Sequence, residues 1–99
     1  MLDGLTADTF GPHEGTEFTV EADSGGPILL RLTAVTRLAP QPHAPRQEPF
    51  SLEFVGPGTP LLKQAIYALE HPEMGRLELF LVPHGPEPGG GIVYEAAFN

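Results

Sequence analysis

The strongest constraint on this chain is a change of hydrophobic period. From Thr16 onward, apolar side chains recur at every second position in short runs. Clusters of Gly and Pro separate these runs. In EFTVEA at 17–22, Phe18, Val20 and Ala22 share one face, and Glu17, Thr19 and Glu21 share the other. A strand places successive side chains on opposite faces, so this alternation describes a half-buried β-strand. The chain contains 12 Gly and 12 Pro, a level that could signal disorder. Their confinement between apolar runs instead describes a turn-rich β domain.

Six strands follow from this pattern. After EFTVEA, the sequence Asp23-Ser24-Gly25-Gly26 is a hairpin turn. PILLRLTAVTRL then aligns Ile28, Leu30, Leu32 and Ala34, after which the parity slips. A bulge or sharp bend near Ala34–Thr36 would account for the slip. APQPHAPRQEP at 39–49 is expected to be an exposed, extended loop. FSLEFV turns Phe50, Leu52 and Phe54 inward. LLKQAIYALEH fits both a helical and an alternating pattern; a turn at 61–64 and a strand over 65–71 supply the partner that the next strand needs. In RLELFLVP both faces are mostly apolar, with Leu77, Leu79 and Leu81 on one and Phe80 and Val82 on the other. Such a strand is expected to be central or covered on both sides. HGPEPGGG reads as a loop, and GIVYEAAFN as a last strand with Ile92, Tyr94, Ala96 and Phe98 on one face.

The first residues differ. Thr6 is a suitable N-cap, Asp8 suits the first turn, and Leu5 and Phe10 are spaced as a hydrophobic staple. Gly11-Pro12 ends this short helix. The expected organisation is one all-β domain over 1–99, with a helical segment at 1–15 and a β core at 16–99. Short connections favour antiparallel neighbours. The fold class is therefore a small six-stranded, mainly antiparallel barrel or a two-layer sandwich, since both satisfy the same alternation.

Charge limits the partners. Five basic and 13 acidic side chains give a net charge of −8, which repels nucleic-acid backbones and anionic membrane surfaces. No apolar run approaches the roughly 20 residues of a membrane-spanning helix. MLDGLTADTF has acids and no Lys or Arg, unlike a signal peptide, so a cytoplasmic location is the default expectation. There is no Cys, which excludes disulfides and thiolate metal sites.

EHPEMGRLE at 70–78 is the stretch richest in groups that could bind a metal or move a proton. It offers one imidazole and no second His, whereas zinc needs three or four fixed ligands. Pro72 and Gly75 suit a hairpin instead, with Gly75 able to supply a positive φ. His71, Glu73 and Met74 then form an exposed tip available to a partner. The four histidines, His13, His43, His71 and His84, each adjoin a proline and are expected in solvated loops or turns. Ser24 and Ser51 show no nucleophile elbow. The Gly runs at 25–26 and 89–91 lack the Lys and following helix of a phosphate loop. Carboxylates alternate outward as a solvated face rather than forming a dyad. No catalytic residue, cofactor or metal is expected.

LDGLTADTF at 2–10, EFTVEA, FSLEFVGP at 50–57, YALEHPEMGRLELFLVP at 67–83 and YEAAFN at 94–99 together resemble a bacterial family of about 100-residue domains of unknown function. This resemblance covers nearly the whole chain and brings no catalytic residues. It implies a setting near genes for phage-tail-collar-like fibre proteins. The expected function is a non-catalytic protein–protein interaction or structural accessory role, possible within a phage-tail-like or fibre assembly. The alternative is a barrel binding a small apolar ligand. A protein partner or self-association is expected. The last strand, with Val93, Glu95 and Ala97 on its second face, is the candidate docking edge if neither the first strand nor the N-terminal helix covers it.

Overall fold

The computed structural model describes residues 5–22, 26–39, 49–59 and 61–98. A short helix α1 (Ala7–Phe10) runs into a 3-10 turn (Gly11–His13). Six strands follow: β1 (Glu17–Ala22), β2 (Gly26–Arg37), β3 (Phe50–Gly56), β4 (Ala65–His71), β5 (Gly75–Pro86) and β6 (Ile92–Phe98). They close into a barrel of order β1-β2-β3-β6-β5-β4, and every neighbouring pair is antiparallel. Closure comes from β1 pairing with β4 through Thr19↔Glu70 and Val20↔Leu69. This pairing decides for the barrel over the sandwich.

The barrel is two three-stranded meanders joined side by side. The middle strand of each, β2 or β5, is 12 residues long and serves two partners. β2 pairs with β1 through Gly26–Arg31 and with β3 through Arg31–Arg37, shifting register between Leu32 and Ala34. β5 pairs with β4 through Gly75–Leu81 and with β6 through Val82–Pro86, shifting between Pro83 and Gly85. Such irregularities bend a strand and raise its twist, which lets a small sheet curl closed. The bulge in β2 thus falls just before the position read from the parity slip. β5 continues to Pro86, so the first three residues of the segment expected as a loop are strand. The other expected loop, at 39–49, lies outside the described residues from 40 to 48, as do Asp23, Ser24 and Gly25.

One core fills the interior. Phe18, Val20, Leu30, Leu32, Phe50, Leu52, Phe54, Leu69, Leu79, Leu81 and Tyr94 are all fully or almost fully buried. Phe18 and Phe54 meet edge to face at 5.4 Å across the centre. A small barrel of this kind has an interior filled mainly by side chains.

Each end is closed differently. Registers place the start of β1, the end of β2, the start of β3, the end of β4, the start of β5 and the end of β6 at one end. There α1 inserts Phe10, which is fully buried and 5.9 Å from both Phe50 and Phe98, themselves stacked at 4.4 Å. Leu5 packs against the same core. Thr6 caps α1: its hydroxyl accepts from Thr9 N, and the Thr9 hydroxyl accepts from Thr6 N. Thr6→Ala removes the hydroxyl half of this pair and keeps the backbone half, and a loss of about 1 kcal/mol is expected in a denaturant titration. At the other end Leu62 is buried, and its N–H donates to the Tyr94 hydroxyl at 2.9 Å.

Two expectations are corrected here. β6 is not a free edge. It pairs along its length with β3, and Ile92–Glu95 also pair with β5. Val93, Glu95 and Ala97 therefore lie on a barrel wall, and neither β1 nor α1 is what flanks them. Of the two alternatives for β5, the central position holds, because it lies between β4 and β6, whereas cover on both sides does not. Its inner face packs in the core, but Phe80 on its outer face is 48% exposed.

Candidate functional site

The most chemically loaded place is the end that α1 caps. Thr16 immediately precedes β1 and shares parity with Phe18 and Val20. His71 ends β4 and shares parity with Tyr67 and Leu69. Both side chains thus turn inward, where the 3-10 turn and the β4–β5 turn approach each other. Pro12, His13, Thr16, Glu17, His71, Pro72 and Glu73 line the shallow cleft between them.

His71 is buried and fully engaged. Its Nδ1 receives the backbone N–H groups of Glu73 at 3.0 Å and Met74 at 3.3 Å. Two donors aimed at Nδ1 require a lone pair there, so the ring proton sits on Nε2. Nε2 lies 3.0 Å from the Thr16 hydroxyl, which in turn donates to the His13 carbonyl. The Phe18 ring covers one side at 4.5 Å, and the His13 ring meets His71 edge-on at 4.7 Å. His13 Nδ1 lies 3.7 Å from a Glu73 carboxylate oxygen. Burial is the main cause that lowers the His71 pKa from 6.5; His13 lowers it further and Glu73 opposes.

In this arrangement His71 ties the β4–β5 turn to Thr16 and the 3-10 turn. In the tautomer fixed by Glu73 and Met74, His71 donates to Thr16, so it is not placed to act as a base toward that hydroxyl. Both ring nitrogens are already committed, which leaves no lone pair for a metal. Among the described residues, no group of three or more His, Asp or Glu is placed to hold a metal ion. None of their buried side-chain polar atoms lacks a partner.

The remaining candidates are dispersed. The hairpin tip forms as expected at Pro72–Met74, and Gly75 has φ of 76°. It is not, however, a uniformly exposed tip: Glu73 is exposed, Met74 packs partly against the core, and His71 is buried. The expectation of solvated loop histidines fails for His71 because, as the last residue of β4, it falls on the inward parity of Leu69. His13 is half-buried in the 3-10 turn. His84 lies in β5, exposed, with Nε2 2.8 Å from Glu95. His43 lies outside the described residues. Ser51 is half-buried in β3.

The second notable feature was not singled out from sequence. Ile66 and Phe80 face each other across β4 and β5 on the outer wall, 68% and 48% exposed. Half-buried Val82 lies next to Phe80 on the same face of β5.

No curated protein and no solved structure matches the chain. A family described as a domain of unknown function, DUF6916, matches residues 5–98. That match takes in the helical cap and all six strands of the barrel, and the chain belongs to this family.

Proposed function

We propose that the protein is a non-catalytic interaction domain that docks a protein partner on the outer wall of β4 and β5. The observation that carries this reading is the exposed Ile66–Phe80 pair. Isolated exposed apolar residues are ordinary, but two large ones directly opposed on adjacent strands form a patch. A closed barrel holds that patch rigidly, so docking orders few side chains and loses little entropy. An aromatic beside an aliphatic group, with polar residues around them, is a common anchor arrangement.

Charge selects the kind of partner. Glu78 and Glu95 flank the patch along β5 and β6, and the chain carries −8 overall. A second copy would meet the same acidic surface. A partner with an apolar centre and a basic rim is favoured instead. The sequence resemblance further suggests an accessory piece of a phage-tail-like or fibre assembly, in which such a domain would attach laterally. The apolar-ligand alternative has the packed interior against it.

The test is extraction of the full chain from its native host under gentle conditions, followed by identification of what accompanies it. Ile66→Ser with Phe80→Ser removes the patch from an outer wall, so folding stability should change by no more than about 1 kcal/mol. The expected result is loss of the accompanying partner in this variant, with cooperative unfolding kept and stability within about 1 kcal/mol of the wild type. A protein that stays alone under gentle extraction at all growth stages would remove the support for this reading.

A further inference from the structure

We propose that His71 is a proton-sensitive clasp at the capped end: protonation at Nδ1 separates the β4–β5 turn from the 3-10 turn and widens the cleft between them. The argument starts from geometry. Nδ1 is the acceptor for two backbone N–H groups of one turn, and Nε2 reaches Thr16, which is tied to the other turn. One ring therefore fastens two chain segments 55 residues apart. A proton on Nδ1 would point at the Glu73 and Met74 donors. Both bonds would be lost together, and the charged ring would be held against the Phe18 face with little water.

The charged and titratable groups around the ring are few. His13 faces it from the 3-10 turn, Glu73 from the β4–β5 turn, and Glu17 lines the same cleft from β1. His13 disfavours a second positive charge, and Glu73 favours it. Burial acts with His13, so the closed state takes up the proton less readily than the opened one.

The direction with pH follows. In the open state His71 titrates near its ordinary value of 6.5, and in the closed state below it. Closure is fully favoured above 6.5. It weakens as pH falls from 6.5 toward the closed-state pKa, then levels off. Within that window the opening constant should rise about tenfold per pH unit, as one proton is linked to one opening. Opening is confined to this end because β1 and the 3-10 turn keep their own ties to β2. Gly15 N–H donates to Leu32 O at 2.7 Å, Leu32 N–H to Thr16 O at 3.0 Å, and Val35 N–H to the Glu14 carboxylate. Phe10 remains seated.

The experiment is an NMR titration of the full chain from pH 7.5 to 4.5, following the His71 ring carbons and amide-exchange protection. The expected result is that His71 titrates below 6.5 and that Glu73 and Met74 lose protection over the same interval. Phe54 and Tyr94 amides, in β3 and β6, should stay protected. His71→Asn provides the control, since its side-chain oxygen can take the acceptor place of Nδ1 toward Glu73 and Met74 without titrating. Its protection at 73 and 74 should not change between pH 6.5 and 5. Retained protection at both amides while wild-type His71 titrates would overturn the proposal. So would simultaneous loss in β3 and β6, which would mean global unfolding. The wild-type titration decides the matter even if the Asn variant does not fold.

Discussion

Phe10→Ala is expected to lower folding stability by about 3–5 kcal/mol, the range for emptying a buried aromatic position. Phe10 is fully buried although it comes from a four-residue helix that cannot persist alone. Its ring is the contact that seats α1 on Phe50 and Phe98. Alanine would leave a cavity and also release the segment that closes this end. The exposed Asp8–Arg37 ion pair that remains is worth at most about 1 kcal/mol. A chain of this size is stable by only about 5–15 kcal/mol, so the variant should be near its limit. Chemical denaturation measures this directly. A loss below about 1 kcal/mol would mean that the cap contributes little to the barrel.

Gly91→Ala should cost about 1–3 kcal/mol, the range for forcing atoms into a filled space. A Cβ at Gly91 would sit 2.5 Å from the backbone carbonyl oxygen of Gly56 and 3.1 Å from a Val55 methyl. A carbonyl in a paired strand cannot rotate away as the end of a long side chain can. Its neighbour Gly90 is restricted for a different reason. Nothing lies within 4 Å of a Cβ there, but φ is 99°, and an alanine at Gly90 should cost only about 1–2 kcal/mol through backbone strain. Thermal melts of the two single variants test the distinction. Restoring Gly91→Ala by trimming Val55 should recover little, because the carbonyl is the closer obstacle.

Most of the architecture was legible because the inner faces alternate over most of each strand, the shifts in β2 and β5 apart. Phe18/Val20, Ile28/Leu30/Leu32, Phe50/Leu52/Phe54 and Tyr94/Ala96/Phe98 were read inward and are buried. β4, ambiguous by periodicity alone, emerged from the need of β5 for a partner. Closure was not legible, because the pairing of β1 with β4 joins residues about 50 apart and leaves no local pattern. The same reason misassigned β6 as an edge. His71 reads as an exposed tip residue because its proline neighbour suggests a turn, whereas it is buried. The parity of Tyr67, Leu69 and His71, and of Thr16 with Phe18, was available as the signal that both face inward. Phe80 and Val82 suggest cover over β5, since an apolar outer face looks the same in sequence whether or not something lies on it.

The two joints between the meanders are unequal, and this bears on how the chain folds and breathes. β3 and β6 are joined through seven residue pairs, whereas β1 and β4 are joined through two. Within each meander the pairing is local, while both joints span much longer loops, whose closure carries a larger entropy cost. Hairpins should therefore form early, with the β3–β6 joint next and the two-pair seam last. A last-formed, narrow seam is also where the closed barrel should part first under native conditions. The cylinder would then behave transiently as a curled six-stranded sheet, with β1 and β4 as its two briefly exposed margins.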